Sequence, residues 1–233
     1  MPSKVFSGAI IGLDATLVEV EIDMAHGLRS FTIVGLGDKT VEQSKERIDS
    51  ALKSSKLASP SQKTFKILVN LAPADVKKEG SLYDLPIALA FLIASKQTSF
   101  NPENKLFLGE LSLDGGLRHT QGILPFAILA KKLGFERIIV PKSNVYEALV
   151  VEGLQVLAVE NLKELLQILL GQKIYQEIEK VKIDLDQDLD FEYDFTSIKG
   201  QEQAKRALEI AAAGGHNILL KGPPGAGKTL LAR

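Results

Sequence analysis

The chain has no cysteine and no tryptophan, and its three histidines, His26, His119 and His216, stand far apart. Without thiols there are neither disulfides nor thiolate metal sites, and histidines at such intervals lack the spacing of a ligand set, so no structural metal is expected. Net charge is nearly absent as well: 28 basic residues against 29 acidic ones leave −1. Overall charge therefore selects neither for nor against nucleic acid, and only local patches remain to be considered. No run approaches the ~18 uninterrupted apolar residues of a membrane-spanning helix, and the opening M-P-S-K-V-F-S-G lacks the apolar core of a signal peptide. A soluble, cytoplasmic protein with no membrane partner is the expectation. What is plentiful is apolar surface: 45% of 233 residues are hydrophobic, enough for a buried core and for more than one domain.

The most specific pattern comes late. Gly222-Pro223-Pro224-Gly225-Ala226-Gly227-Lys228-Thr229 matches G-x-x-x-x-G-K-[ST], with apolar Ile218–Leu220 before it and Leu230 opening an apolar helix after it. Polyphosphate is a dense anion, so a loop that wraps it must turn its backbone N–H groups inward. Gly222, Gly225 and Gly227 are expected to supply the positive φ and close approach this needs. The helix starting near Lys228 directs further unpaired N–H groups at the same phosphates. Lys228 would reach the β- and γ-phosphates of ATP, and the Thr229 hydroxyl would ligate Mg²⁺. The expected binding residues are thus Gly222, Pro223, Pro224, Gly225, Ala226, Gly227, Lys228, Thr229 and Leu230. A chance glycine-rich turn with a solvated lysine is the plain alternative, and the flanking strand and helix patterns argue against it.

In the earlier chain, Thr16, Val18, Val20 and Ile22 alternate with Leu17, Glu19, Glu21 and Asp23, which predicts a strand over 15–23 with one buried face. Phe31–Val34 is a second strand, closed by Gly35-Leu36-Gly37, and Asp38 is placed to cap a helix running to about Ser54. Phe65–Leu71 reads as a buried strand. It leads into a polar loop with Asp75, Lys77, Lys78, Glu79, Gly80 and Ser81, then an apolar helix over 85–95. A charged loop between buried elements is a candidate site, with a solvated turn as its plain alternative. Leu106–Leu117 reads as a hairpin turned by Asp114-Gly115-Gly116. A helix over 124–133 stopped by Gly134, a strand over 137–140, a short helix capped by Asn144, a strand over 155–159 and a helix over 162–170 follow. The predicted fold class is α/β (α+β), with antiparallel pairs early and β-α-β units late.

From 172 to 195 the texture changes. Asp184, Asp186, Asp188, Asp190, Glu192 and Asp194 alternate with other residues, without glycine or proline, and an acidic linker is expected between domains at 1–171 and 196–233. A calcium loop is disfavoured, because the D-x-D-x-D-G spacing is missing. A helix over 202–213 and a strand at 218–220 then feed the phosphate loop. Only the first β-α step of a nucleotide-binding domain is present, so the chain reads as truncated.

The stretch F-T-S-I-K-G-Q-E-Q-A-K-R-A-L-E-I-A-A-A-G-G-H-N-I-L-L-K-G-P-P-G-A-G-K-T resembles the opening of the AAA+ module in magnesium-chelatase-related ATPases, the bacterial YifB/ComM family in particular. F-T-I-V-G-L, S-K-E-R-I-D-S-A-L-K-S-S, V-N-L-A-P-A-D-V-K-K-E-G, Y-D-L-P-I-A and G-E-L-S-L-D-G-G-L-R are similar to the same family's N-terminal domain, so the likeness spans nearly the whole chain. The resemblance implies a Lon-protease-like, ribosomal S5 domain 2-like fold of ChlI type for 1–171, then the truncated start of a P-loop AAA+ domain. It implies that Ile198 and Gln201 contact the adenine base. It also implies that the complete protein is a homo-hexamer binding ATP and Mg²⁺, with single-stranded or branched DNA as partner, acting as a DNA helicase that promotes branch migration in natural transformation. Hydrolysis further requires an acidic residue that positions water and an arginine from a neighbouring subunit. Both are expected beyond Arg233, so no turnover is expected of this chain alone.

Three rival functions accompany that likeness. A Lon-type Ser-Lys peptidase has its serine after a K-D-G-like loop. Here Ser81 in K-E-G-S stands one place out of register, and Gln121–Pro125 holds proline where the lysine falls, leaving Ser81 without a base. No catalytic residue is assigned, and the domain is read as non-catalytic. A chelatase motor driving metal insertion into a porphyrin would begin close to its phosphate loop, without so large a preceding domain. A DNA-binding adaptor would contact phosphates through Lys77, Lys78, Arg118, Lys131 and Lys132, for which a solvated face is the plain alternative.

Overall fold

The computed structural model describes residues 2–62, 64–178 and 194–232. The chain divides into two compact units, Met1–Val181 and Lys182–Arg233. Most of the acidic run expected as a linker over 172–195 falls at 179–193, outside the described residues.

The strands of the first unit are β1 (Ser3–Ile11), β2 (Asp14–His26), β3 (Ser30–Val34), β4 (Phe65–Ala72), β5 (Lys105–Phe107), β6 (Glu110–Leu111), β7 (Leu117–Arg118), β8 (Arg137–Pro141) and β9 (Gln155–Val159). Its helices are α1 (Lys39–Glu42), α2 (Ser44–Ser54), α3 (Asp84–Ala94), α4 (Ile123–Lys132), α5 (Val145–Leu149) and α6 (Leu162–Leu169). Seven strands form one sheet in the order β3-β4-β2-β1-β5-β8-β9. The β1–β2 and β2–β4 pairs are antiparallel and the others parallel, so the fold is mixed α/β with its antiparallel part first in sequence. Parallel neighbours need a crossover, and α4 and α5 supply those between β5, β8 and β9.

Alternation sets the core. Val18, Val20 and Ile22 on β2 and Ile67, Val69 and Leu71 on β4 share one face and are at most 1% exposed. Helix α3 packs on that face against β1 and β2. It is apolar all round because it is enclosed all round, with every residue from Asp84 to Leu92 buried. On the opposite face α4 lies close to β1: a Cβ at Gly8 would sit 2.6 Å from the Phe126 ring, so the missing side chain is what admits the helix.

Four elements differ from the sequence expectation. The helix expected from Asp38 to Ser54 is two helices. Asp38 caps α1 as expected, accepting from the Val41 N–H at 2.8 Å. However, Arg47 Nη2 donates to the Thr40 carbonyl at 3.1 Å, the oxygen an unbroken helix would bond to the N–H of Ser44. The hairpin expected over 106–117 shrinks to β6 and β7, while Leu106 and Phe107 join β5 in the main sheet. Asn144 does not cap α5. Its carboxamide instead accepts from the Thr120 N–H at 2.9 Å and donates to the Thr120 carbonyl at 2.7 Å.

The fourth difference lies in the second unit, which contains a short turn at Phe195–Ser197, α7 (Glu202–Gly214) and α8 (Lys228–Leu231). Helix α7 is closed by His216 N–H donating to the Ala211 carbonyl at 2.8 Å and Gly215 N–H to the Ala212 carbonyl at 3.3 Å, with Gly215 at φ 61°. The strand expected at 218–220 is not formed, since a strand exists through a ladder partner and no described residue supplies one. Among the described residues no helix is long and apolar enough to cross a membrane.

Candidate functional site

The phosphate-type loop is shaped by its own few residues. Gly225 and Gly227 hold φ of 80° and 78°, a region open to glycine without strain. Gly222 does not share that conformation, although the sequence pattern predicts it of all three glycines. A Cβ there would lie 3.7 Å from the Ala226 Cβ and 4.0 Å from the Lys228 Cδ, ordinary contact distances. The Ala226 N–H donates to the Pro223 carbonyl at 3.3 Å and closes the turn. Lys228 opens α8 and reaches back, its Nζ donating to the carbonyls of Gly222 at 2.9 Å and Pro223 at 2.7 Å.

Leu231 and Ala232 N–H groups donate to the carbonyls of Gly227 at 3.0 Å and Lys228 at 3.1 Å. Among the described residues, the N–H groups of Gly225, Gly227, Lys228, Thr229 and Leu230 meet no acceptor from the chain. Main-chain N–H groups without acceptors beside one ammonium suit an anion rich in oxygens. The exposed Thr229 hydroxyl offers the hard oxygen that Mg²⁺ favours, so the residues present fit a magnesium-bound polyphosphate. Ile198 and Gln201 lie in the lead-in to α7. The Ile198 carbonyl accepts from Lys205 Nζ at 2.6 Å, and Gln201 holds the N-cap position at φ 61° without a side-chain cap bond. Among the described residues no hydrogen bond joins either to the loop.

The charged loop ahead of α3 is only partly a solvated turn. Lys78 is fully buried, its N–H donating to the Leu36 carbonyl and its carbonyl accepting from the Asp38 N–H, each at 3.0 Å. Its ammonium donates to the Pro73 carbonyl. Burial lowers the Lys78 pKa from the usual lysine value, against the pull of Asp75. With no surface exposed, Lys78 belongs to no phosphate-binding face. Lys77 pairs with Glu79, Arg118 with Glu110 at 3.5 Å, and Lys131 donates to the Gly153 carbonyl at 3.3 Å. The basic residues of the adaptor reading are therefore largely engaged within the protein.

Ser81 Oγ donates to Glu110, and among the described residues no lysine amine is bonded to it. Beneath it lies a pair the local pattern did not reveal. Arg47 grips Asp84 with Nε at 2.6 Å from Oδ2 and Nη2 at 2.9 Å from Oδ1, and the Leu111 N–H adds 3.2 Å to Oδ2. The hydrogen bond from Arg47 to Asp84 raises the guanidinium pKa further. Asp84 opening an apolar helix was the one visible signal, but its partner lies 37 positions upstream.

Family models match both the mixed α/β unit and the glycine-rich lysine loop, and they make this a protein of the ChlI type, related to magnesium chelatase. Family models described as "Subunit ChlI of Mg-chelatase" and "Magnesium chelatase, subunit ChlI" match residues 20–144 and 194–233 respectively. The chain is 42% identical over 234 residues to competence protein ComM of Haemophilus influenzae, covering 98% of this chain and 45% of that protein. It is also 42% identical over 231 residues to the uncharacterized protein YifB of Escherichia coli, covering 99% and 44%. The chain belongs to the YifB/ComM family of magnesium-chelatase-related proteins. It spans somewhat less than half the length of these relatives.

Proposed function

We propose that the chain carries the nucleotide-binding start of an AAA+ ATPase, taking ATP with Mg²⁺ at Gly222–Leu230. In our reading the complete protein is a cytoplasmic homo-hexamer that acts as a DNA helicase, promoting branch migration in natural transformation. The observation that carries the nucleotide half is the set of main-chain N–H groups without acceptors beside the Lys228 ammonium. The DNA half is supported by the likeness to a protein named for competence.

Magnesium-bound ATP supplies the γ-phosphoryl group whose transfer to water releases energy. Lys228 would exchange its two carbonyl acceptors for phosphate oxygens, Gly225 and Gly227 would let the backbone lie close to them, and Thr229 would offer its hydroxyl to the cation. Ile198 and Gln201 would contact the adenine base.

Titration of the 233-residue chain with a fluorescent ATP analogue in Mg²⁺ tests this. Lys228→Ala should weaken binding by at least ~10-fold, about 1.4 kcal/mol, while leaving helical content unchanged. Equal affinity in the variant would refute the site.

A further inference from the structure

Among the described residues the seven-strand sheet ends at β9, and that last edge is closed by something other than a strand. In the parallel β8–β9 pair the main-chain groups of successive residues point alternately to one side and the other. The Gln155 N–H donates to the Glu136 carbonyl at 3.1 Å, on the β8 side, so Val156 and Ala158 turn their groups outward. A row of outward N–H and C=O groups at a sheet edge is a template for another chain. Here the Ala158 N–H is met by the Tyr175 hydroxyl at 3.0 Å.

Tyr175 sits in 172–178, the start of the stretch whose composition reads as a linker, yet these residues fold back onto the first unit. Gly171 takes φ 70° after α6, and the N–H groups of Gln172 and Lys173 both donate to the Gln167 carbonyl, at 2.8 and 3.1 Å, which ends the helix. Lys173 Nζ then bonds Glu164 Oε1 at 2.6 Å and ties the returning chain to α6. Tyr175 and Ile178 pack on the core, while Ile174 is exposed. Among the described residues no main-chain bond joins 174–178 to β9. A cleft of about 300 Å³ is left between this strap and Arg137, Val156, Leu157 and Ile168. Few attachments over a partly hollow seat make local opening far less costly than unfolding of the sheet.

We infer that residues 172–178 are an edge guard, latched by the Tyr175 hydroxyl, which keeps β9 from pairing with the β9 of a second copy of this chain. The symmetry of the edge selects that occupant. Two identical edges are self-complementary about a two-fold axis, because antiparallel pairing presents the same outward groups from each side. The strap lies across the place such a copy would take, and it satisfies the Ala158 N–H that the ladder would otherwise use.

Amide hydrogen exchange and sedimentation velocity on the 233-residue chain test this. In Tyr175→Phe, which removes only the latch, the Ala158 amide should exchange about tenfold faster than in the unsubstituted chain, with Ile139 on β8 unchanged. Tyr175→Ser combined with Ile178→Ser removes both packed side chains and should convert a monomer into a dimer that forms as protein concentration rises. In that dimer the Val156 and Ala158 amides should regain protection. Unchanged Ala158 exchange in Tyr175→Phe would overturn the inference, and this variant keeps it falsifiable even if the double substitution misfolds. A double variant that stays monomeric at every concentration would overturn it too, as would equal association by the unsubstituted chain.

Discussion

In the first unit one cluster of buried side chains runs from Val5 on β1 to Leu166 on α6. In the second, the buried apolar side chains among the described residues are Ala211 and Leu231, while Ile210, Ile218, Leu219 and Leu230 are 43–89% exposed. Burial therefore organises the first unit, whereas the bonds shown by the described residues of the second are short-range: the paired bonds closing α7, the turn at Pro223 and the reach of Lys228 to its own loop. The described geometry of the loop rests on glycines and on contacts a few residues long.

The sharpest test of that contrast is a pair of truncations. Phe91→Ala, in the enclosed helix α3, should cost about 4 kcal/mol in urea unfolding followed by circular dichroism, whereas Ile210→Ala on α7 should change stability by less than about 0.5 kcal/mol. Similar costs at both sites would break the comparison. A smaller effect is expected at the buried ion pair. Arg47→Ala leaves the Asp84 carboxylate, fully enclosed, without its guanidinium, and should cost about 3 kcal/mol. A near-zero value would show that the pair contributes little to the stability of the first unit.

The least effect is electrostatic. Burial opposes ionisation of Asp49, but hydrogen bonds from Lys53, Ser61 and Ser59 override it and hold the carboxyl at about 2. The folded-state value lies below the unfolded one, so the unfolded chain takes up this proton first as pH falls. The stabilisation is complete above pH ~4 and is lost as pH drops toward 2. Allowing for solvent screening, wild type should exceed Asp49→Asn by about 1 kcal/mol at neutral pH, with the difference closing in that acid window. A gap that persists unchanged at pH ~2 would assign the effect to packing instead.

Much of the fold was legible because its signals are local. The alternation of Val18, Val20 and Ile22 marks a half-buried strand wherever it occurs, and Asp38 bonds an N–H three residues on. Other signals were local in appearance only. Asn144 has the chemistry of a cap but spends it on Thr120, 24 positions away. Lys78 has the composition of a solvated turn but is drawn under cover by main-chain bonds to Leu36 and Asp38. At the candidate loop Gly225 and Gly227 take the positive φ expected of them and Gly222 does not.

By itself the amino-acid sequence determined the glycine-lysine loop, the helix stops and the strand faces, because each depends on the conformational freedom or bonding reach of residues close together in the chain. Only the tertiary structure decided that Leu106 and Phe107 lie mid-sheet and that Arg47 meets Asp84. Those outcomes rest on which distant segments share a ladder or a buried charge. That is settled by the burial of the whole unit at once, and no short window of residues contains it.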